Sequence, residues 1–350
     1  MRVSVNRDAV VRTFHHGIAA VNAETRSAAS PSAALRSESS ETPDVSVILI
    51  CWNSFALTAA AIRSLERHVS GASYEVIVVD NGSLDARTSK NLAAEFPAAT
   101  VIANRENRGF AGANNQALAV ARGRYLLLLN SDTEQIENAV GRAVEYMDRH
   151  SEVGVLGVMH RNADVGRTYQ TSSAPFPTPA RSAACMLRGL VRPARPADES
   201  PAPPEGDVDW VTGSFFMIRR ACLEAVGPLD AARFFVYAED IDWCYMAWKA
   251  GWKVRYWPGT SIVHYGSSSA SQVADKTFMV YRNELEFFRK HHRASKVLMF
   301  YAALNFRMLA SFLFQAWNWV RGKGAWTDVA ARWVRLWNLV LLNPDRRGLK

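Results

Sequence analysis

The feature that most limits how this chain can fold is a repeated alternation of short apolar runs with helix-like stretches, which begins abruptly at Val45. The apolar runs have the length of buried strands and cover residues 45–50, 75–79, 100–103 and 125–129. The helix-like stretches lie near residues 57–69, 110–121 and 136–149. Continuous apolar strands joined by helices are typical of a parallel sheet covered on both faces. We therefore predict an α/β fold with a mostly parallel sheet.

The flanking segments have a different composition from this core. Residues 1–43 are rich in Ala, Ser and Arg, lack the continuous apolar stretch of a cleaved signal peptide, and are predicted to be a mobile leader. Residues 174–207 hold eight of the 14 prolines and are predicted to be a Pro-rich loop or insertion. The four cysteines form no CxxC pair, which favours a reducing, cytosolic location.

Polar residues follow three of the predicted strands. Asn53 follows the first strand, Asp80 and Asn81 follow the second, and the triplet Asn130-Ser131-Asp132 follows the fourth. Ligands bind beyond the carboxyl ends of parallel strands, where a carboxylate can accept a hydrogen bond from a nucleobase imide or hold a hard cation. Asp80 suits the first role and Asp132 the second. Taken singly, each could equally cap a helix or close a turn.

Seven short motifs occur in order along the chain. They lie at residues 45–53, 78–83, 107–115, 128–132, 210–214, 237–242 and 264–268. Together they resemble the inverting family 2 glycosyltransferases of the GT-A fold, in particular bacterial rhamnosyltransferases of cell-surface polysaccharide assembly. The resemblance covers about residues 44–292, and it implies a Rossmann-like glycosyltransferase domain over that range, followed by C-terminal amphipathic helices over 293–350.

The resemblance also implies a binding site for a nucleotide-sugar donor. Asp80 would contact the pyrimidine ring, and Gly109 would allow the backbone to approach the donor closely. The full set of donor-site residues implied by the motifs is Asn53, Asp80, Asn81, Asn107, Arg108, Gly109, Asn114 and Ser131.

The pair Glu239-Asp240 matches the acidic motif of the family. An acceptor hydroxyl is a poor nucleophile, so transfer needs a base that removes its proton, and the resemblance gives this role to Asp240. Glu239 would orient the base or contact the acceptor. The acceptor side would include Trp210, Gly213 and Ser214. On local sequence alone, the acidic pair is equally compatible with a helix N-terminus stabilised by the helix dipole.

The resemblance implies a divalent cation, Mn²⁺ or Mg²⁺, at Asp132, which occupies the last position of the family's DxD motif. Asn130 replaces the first carboxylate of that motif, and His264 would supply a further ligand. A lone His after a strand is also compatible with a purely structural role. His291 and His292 have no such motif around them and are expected on a solvated helix face.

The C-terminal segment carries most of the positive charge. Residues 276–350 have a net charge of +10 in a chain of net charge +8, and five of the 11 tryptophans lie there. Residues 297–320 are long enough to cross a bilayer, but Arg307 near their middle costs roughly 2.5–3.5 kcal/mol there. Arg307, Ser311, Gln315 and Asn318 form one polar stripe. This pattern predicts helices lying on an anionic membrane surface; packing on the domain as ordinary surface helices is the alternative.

The predicted function is inverting transfer of a sugar, L-rhamnose from dTDP-L-rhamnose, to a hydroxyl of a lipid-linked or polysaccharide acceptor at the cytoplasmic face of the inner membrane. Two alternatives stay open. The donor could be a UDP-hexose or UDP-N-acetylhexosamine, or the chain could be a non-catalytic membrane-associated scaffold, as the missing carboxylate at Asn130 suggests. A nucleic-acid partner is not expected, because the basic charge is confined to Trp-rich amphipathic helices.

Overall fold

The computed structural model describes residues 42–191, 202–266 and 276–322, together with Trp326, Thr327, Ala330, Trp333 and Val334. The predicted leader therefore lies almost entirely outside the described residues. So do residues 267–275, and most of the chain beyond 322.

Four parallel strands form the first half of the central sheet. They are β1 (Val45–Cys51), β2 (Tyr74–Asp80), β3 (Thr100–Ala103) and β4 (Tyr125–Asn130), in the spatial order β3-β2-β1-β4. Within this order, Asp80 lies beside Cys51, and Asn130 lies beside Ile50. The sheet thus brings the carboxyl ends of β1, β2 and β4 to one edge, as the sequence predicted.

The sheet continues from β4 with strands of mixed direction. These strands are β5 (Thr133–Gln135), β6 (Val153–Arg161), β11 (Phe215–Arg219) and β12 (Lys253–His264). The order is β4-β11-β6-β12-β5, in which β11 is antiparallel to both neighbours and β12 is parallel to β6. Short strands β7 (Tyr169–Gln170) and β9 (Gly206–Asp207) pair with β6 and β12, while β8 (Ser173–Ala174) and β10 (Trp210–Val211) pair with each other.

Helices cover both faces of this sheet. In chain order they are α1 (Phe55–His68), α2 (Thr88–Glu95), α3 (Gly109–Leu118), α4 (Ala139–Arg149), α5 (Pro179–Val191), α6 (Arg220–Val226), α7 (Glu239–Lys249), α8 (Lys276–His291) and α9 (Ala294–Val320). Successive β1 residues point to opposite faces, so Val47 packs in one core with α1 and α4, and Ile48 packs in the other with α3 and α7. This double coverage explains why the strands are apolar without alternation.

Strand β6 was not predicted, because two glycines interrupt its apolar run. Both positions are tightly packed. A Cβ at Gly154 would lie 2.7 Å from Cys222 Sγ, and one at Gly157 would lie 2.6 Å from Val211 Cβ. The glycines that obscure the strand in the sequence are therefore required for its close packing.

The structure differs from the predicted Pro-rich loop over residues 179–191, where α5 forms. Pro179 occupies the first helical position, where its missing N–H costs nothing. The Thr178 hydroxyl oxygen accepts a hydrogen bond from Arg181 N at 3.2 Å, as an N-cap does. The prolines therefore mark the start of a helix, and α5 packs against α9.

A third apolar cluster joins the C-terminal helices to the rest of the domain. Phe287 and Phe288 of α8 and Phe300 and Leu304 of α9 are buried in it, and Tyr245 of α7 packs against it. Helix α7, which carries the acidic pair, is therefore held between the sheet and the C-terminal helices.

Candidate active site

The loops after β1 and β2 are hydrogen-bonded to each other. Asn53 N donates to Ser83 Oγ at 3.0 Å, and Asn53 Oδ1 accepts from Leu84 N at 2.8 Å. The buried Asp80 carboxylate accepts from Ser83 N at 3.1 Å. Beside these loops lies an open pocket of about 470 Å³, lined by Asn53, Phe55, Leu84, Asp85 and Thr88. Asn53 thus lines a cleft of the size that a small ligand needs, whereas Asp80 is buried beside the loop and is not part of the lining.

Asn81 holds the strand end to the loop before α3. Its Nδ2 donates to Asn107 Oδ1 and to Gly109 O, at 2.9 and 3.2 Å. Its Oδ1 accepts from Asn104 Nδ2 and Arg108 N, at 3.1 and 3.0 Å. An amide offers two donors and two acceptor sites, so all of them are used within the protein. Asn81 therefore holds the end of β2 to the loop before α3, and its place at a donor site stays a prediction.

The start of α3 requires glycine at position 109. Gly109 has φ +75°, and a Cβ there would lie 2.3 Å from Phe235 O. Phe110 N donates to that same carbonyl at 2.7 Å, so α3 begins directly against the loop that precedes α7. The Arg108 side chain is exposed at this point. Asn114 is 1 % exposed, and its Oδ1 has no hydrogen-bond partner within the described residues.

Asp240 lies at the start of α7 and faces the loop after β10. Its Oδ2 accepts from Gly213 N at 3.0 Å, and its Oδ1 accepts from Ile241 N at 2.9 Å. The residue keeps part of its surface exposed, whereas Glu239 beside it is buried. Two backbone amides therefore orient the carboxylate of a partly exposed residue.

Burial sets the protonation of the two carboxyls. It raises the pKa of Asp240 above its ordinary value, although the two amide hydrogen bonds act in the opposite direction. Burial, and next the charge of Asp240, raise the pKa of Glu239 well above its ordinary value. Glu239 is therefore the partner that stays protonated, and Asp240 is the one that ionises. A carboxylate of raised pKa is a stronger base, which suits proton removal from a hydroxyl.

The backbone before α7 is strained. Tyr237 and Ala238 have φ of +71° and +66°, a region that residues with a Cβ rarely adopt. Such conformations cost on the order of 1 kcal/mol or more each and persist only where the surroundings hold them. Asn283 of α8 contacts this turn, since its Nδ2 donates to Val236 O at 2.5 Å and to Tyr237 O at 3.0 Å.

The other residues predicted on the acceptor side differ in accessibility. Trp210 Nε1 donates to Pro175 O at 3.2 Å, and the ring packs partly against the core. Ser214 is buried, and its hydroxyl lies 2.8 Å from Thr212 Oγ1 and 3.4 Å from His160 Nδ1. Gly213 is the member of this predicted set whose amide contacts Asp240. Ser214 is buried and its hydroxyl bonds within the loop, and its acceptor-side role stays a prediction.

His264, at the end of β12, is oriented by Gln170 of β7. Gln170 Nε2 donates to Asn162 Oδ1 at 2.9 Å and to His264 O at 3.3 Å, so its Oε1 is the acceptor. That oxygen lies 2.6 Å from His264 Nδ1, which must therefore carry the proton. In the neutral ring, the Nε2 lone pair then faces Asp132 Oδ1 at 3.4 Å and Asn130 Nδ2 at 3.5 Å.

This donor set fits a divalent cation. A carboxylate oxygen and an imidazole lone pair that face each other repel unless a cation or proton lies between them, and both are metal ligands. Among the residues that the structure describes, no third His, Cys, Asp or Glu joins them. The remaining ligands would have to come from the amide of Asn130, water or a bound substrate. Ser131 was also predicted at the donor site, and its Oγ lies 3.4 Å from Ser54 Oγ.

Some structural contacts around the site were not predicted from sequence. The prediction of a solvated His291 is wrong, because its side chain is 2 % exposed and its Nε2 lies 2.7 Å from Asp242 Oδ1. Lys290 Nζ donates to Asp242 Oδ2 at 2.8 Å. These contacts join α8 to α7 two residues after Asp240. Lys290, His291 and Gln170 lie outside the seven motifs, so the local sequence did not predict these contacts.

The mixed sheet, the polar residues at its carboxyl edge and the oriented carboxylate at the start of α7 define a glycosyltransferase of the GT-A class. The chain belongs to glycosyl transferase family 2, whose model matches residues 46–227, just over half of the chain.

Relatives and solved structures agree with this assignment. The chain is 24 % identical over 257 residues to an N-acetylglucosaminyl-diphospho-decaprenol L-rhamnosyltransferase of Mycobacterium tuberculosis, covering 69 % of this chain and 78 % of the relative. It is 24 % identical to rhamnosyltransferase WbbL of Escherichia coli, covering 59 % and 78 %. A mannosyltransferase of Pyrobaculum calidifontis, solved with GDP-Man and Mn²⁺, matches with a TM-score of 0.50 at 18 % identity, covering 87 % and 82 %.

Proposed function

We propose that this glycosyltransferase moves L-rhamnose from dTDP-L-rhamnose to a hydroxyl of a lipid-linked glycan in cell-envelope synthesis, with inversion at the sugar carbon. The observation that carries the proposal is the carboxylate of the partly exposed Asp240, which two backbone amides orient at the start of α7. Similarity to two rhamnosyltransferases, one of them named for a diphospho-decaprenol substrate, supports the choice of sugar and acceptor.

In the proposed reaction, Asp240 removes the proton of the acceptor hydroxyl as its oxygen attacks the anomeric carbon. The bond from that carbon to the diphosphate oxygen breaks on the opposite face, and its electron pair leaves with the nucleoside diphosphate. Attack opposite to the leaving group inverts the configuration. The products are the glycosylated acceptor, dTDP and a protonated Asp240, which returns its proton to solvent.

Asp132 and His264 would hold the Mn²⁺ or Mg²⁺ ion. Such an ion supplies positive charge against the diphosphate as it leaves. Gln170 would keep the Nε2 lone pair of His264 directed at this position, because it fixes the proton on Nδ1. The same residues speak against the alternative of a non-catalytic scaffold, since a scaffold has no need of an oriented carboxylate and an oriented imidazole.

The proposed donor is tested by nucleotide binding to the purified protein in Mn²⁺ or Mg²⁺. We expect dTDP-L-rhamnose to bind more tightly than UDP-glucose or UDP-N-acetylglucosamine. Asp80→Ala should weaken dTDP and UDP alike by about 10-fold, because thymine and uracil present the same imide N–H and a hydrogen bond to a charged group contributes about 1.5–3 kcal/mol. Calorimetric titration of both nucleotides checks this.

Asp164→Ala serves as the control for that measurement, because Asp164 is an exposed carboxylate that is not among the pocket-lining residues and bonds within its own turn to Thr168. Tighter binding of a UDP-sugar than of dTDP-L-rhamnose would replace the proposed donor with the alternative one. An Asp80→Ala loss restricted to one nucleotide would contradict the shared imide contact.

Helix α9 supports a proposed attachment to the inner-membrane surface. It is long and apolar enough to cross a bilayer, with a mean hydropathy of 1.6. One face carries Phe300 and Leu304 into the third apolar cluster, so packing on the domain is part of its role. The opposite face exposes large apolar side chains over its length, among them Leu298, Phe306, Leu309, Leu313, Phe314 and Trp317. A helix packed on one face and apolar on the other suits insertion into the interface.

We expect the triple variant Phe306→Gln, Leu309→Gln, Leu313→Gln to bind anionic vesicles about 100-fold more weakly. These side chains are 57, 55 and 57 % exposed, and loss of about 1 kcal/mol of burial from each gives roughly 3 kcal/mol. Co-sedimentation with phosphatidylglycerol vesicles measures the change. Deleting the whole helix would be a poorer test, because Phe300 and Leu304 belong to the domain's packing.

The matched control is Val120→Gln, Val165→Gln, which removes exposed apolar side chains elsewhere on the surface. It should leave vesicle binding unchanged. Retention of the triple variant on vesicles at the wild-type level would contradict the proposed membrane face.

A further inference from the structure

We propose that Asn283 is a positioning residue for transfer: its side-chain amide holds the left-handed turn at Tyr237 and Ala238, and this turn places Asp240 against Gly213. The inference rests on the proposed role of Asp240 as the base. Asn283 lies in α8, outside residues 46–227 that match the family model, so it adds a helix of the C-terminal part to the site.

The first step of the argument is the backbone of the turn. Tyr237 and Ala238 are two consecutive residues with a Cβ at positive φ, and Ala238 is the N-cap of α7. The Ala238 side chain cannot cap the helix by a hydrogen bond. Nothing in the local sequence therefore favours this conformation, and contacts from elsewhere must stabilise it.

The second step is the set of contacts that hold the turn. On one side, Phe110 N donates to Phe235 O at 2.7 Å. On the other, Asn283 Nδ2 donates to Val236 O and Tyr237 O, at 2.5 and 3.0 Å, and its side chain lies in the interior, with the residue 6 % exposed. One amide thus satisfies the carbonyls of two successive residues, which a freely rotating or solvated side chain would not do.

The third step connects the turn to the reacting atoms. Asp240 follows Ala238 by two residues, and its Oδ2 meets Gly213 N at 3.0 Å. A relaxed turn would change the direction in which α7 begins, and with it the position of that carboxylate. The contacts of Asp242 with Lys290 and His291, at 2.8 and 2.7 Å, hold α7 to α8 beyond the turn and would keep the helix docked when the Asn283 amide is removed.

The test compares Asn283→Ala and the nearly isosteric Asn283→Leu with wild type. We expect kcat to fall 10-fold or more, while the dissociation constant of the donor nucleotide changes less than twofold, because the donor cleft lies at other strand ends. Hydrogen exchange of residues 236–242 should become faster. Asn305→Ala is the matched control, since Asn305 Nδ2 donates to Tyr301 O within its own helix, at 2.8 Å, and its loss should change neither quantity.

A second substitution separates positioning from general packing. Glycine adopts positive φ readily, so adding Ala238→Gly to Asn283→Ala should restore most of kcat and slow the exchange again. A packing defect at Asn283 would not be repaired by glycine at a different residue. If the double variant is no better than Asn283→Ala, or if Asn283→Ala has wild-type kcat and wild-type exchange, the proposal is overturned.

Hydrogen exchange keeps this test separate from the proposed function. If wild type transfers no sugar to any acceptor tried, the assignment of Asp240 as the base fails, while exchange over residues 236–242 still decides whether Asn283 holds the turn. If wild type transfers sugar and the Asn283 variants do so equally well, only the positioning role fails. Variants that do not fold as single substitutions are compared in the Ala238→Gly background.

Discussion

Asp240→Asn is expected to lower kcat by about 10³-fold, within the 10²–10⁴-fold range of a lost general base, while donor binding stays unchanged. The amide keeps the shape of the carboxylate but has one oxygen instead of two, so it can accept from only one of Gly213 N and Ile241 N, which now donate to Oδ2 and Oδ1. It also loses the ability to accept the proton of the attacking hydroxyl. Steady-state kinetics with a soluble lipid-acceptor analogue, together with nucleotide titration, separates the two effects.

The pH profile of the wild-type enzyme gives a second view of the same group. A base must be deprotonated to accept a proton, so activity should fall as the pH decreases. Because burial raises the pKa of Asp240, the pH of half-maximal activity should lie above the ordinary aspartate pKa. Asp164→Asn is the matched control, since that exposed carboxylate bonds within its own turn to Thr168. Asp240→Asn protein that keeps more than a tenth of wild-type kcat would remove Asp240 from the role of base.

Asp132→Ala is expected to lower the affinity for Mn²⁺ or Mg²⁺ by about 100-fold or more. Donor binding should then depend much less on the cation. Loss even of an outer-shell partner commonly costs 10–100-fold in metal affinity, and Asp132 would be a direct ligand. Without the carboxylate, His264 would be the only one left of the two proposed side-chain ligands. Titration of Mn²⁺ alone by its electron paramagnetic resonance signal measures cation binding independently of activity.

Asn130→Asp is expected to change Mn²⁺ affinity in the opposite direction. It replaces the amide that lies 3.5 Å from His264 Nε2 with a second carboxylate, which should tighten Mn²⁺ binding because the cation would meet two anionic side chains. The two variants have similar positions and opposite expected effects, so a general disturbance of the loop cannot account for both. Unchanged Mn²⁺ binding in both variants would show that the ion, if used, binds elsewhere.

Local sequence was sufficient to predict the first half of the fold. The apolar runs of β1, β2 and β4 are mostly buried, so their composition distinguishes them from helices and loops, and each strand forms at the expected residues. The edge strand β3 also forms where predicted, although its residues are exposed or half-buried. The same logic failed at β6, where Gly154 and Gly157 replace apolar residues because Cys222 and Val211 pack against the backbone. It failed again at α5, where prolines before the helix concealed a Thr-Pro start.

The same distinction between local sequence and tertiary structure applies to the candidate site. The sequence by itself determined which residue types stand at the strand ends and at the start of α7, since these follow from local patterns and from the resemblance to a family. Only the tertiary structure decided what these residues can do. Asn81 became a fully bonded support, and His264 acquired a defined tautomer from Gln170 of another strand.

The same division holds at α7. The sequence identified Glu239 and Asp240 as an acidic pair, but it carried no sign that the helix starts from two left-handed residues held by Asn283. The orientation of Asp240 depends on Gly213, 27 residues away, and the turn before it depends on Asn283, 46 residues from Tyr237. Protonation depends on how far each carboxyl group is removed from water. A hydrogen bond or a desolvation effect exists only once those groups are packed together, so no local pattern encodes it.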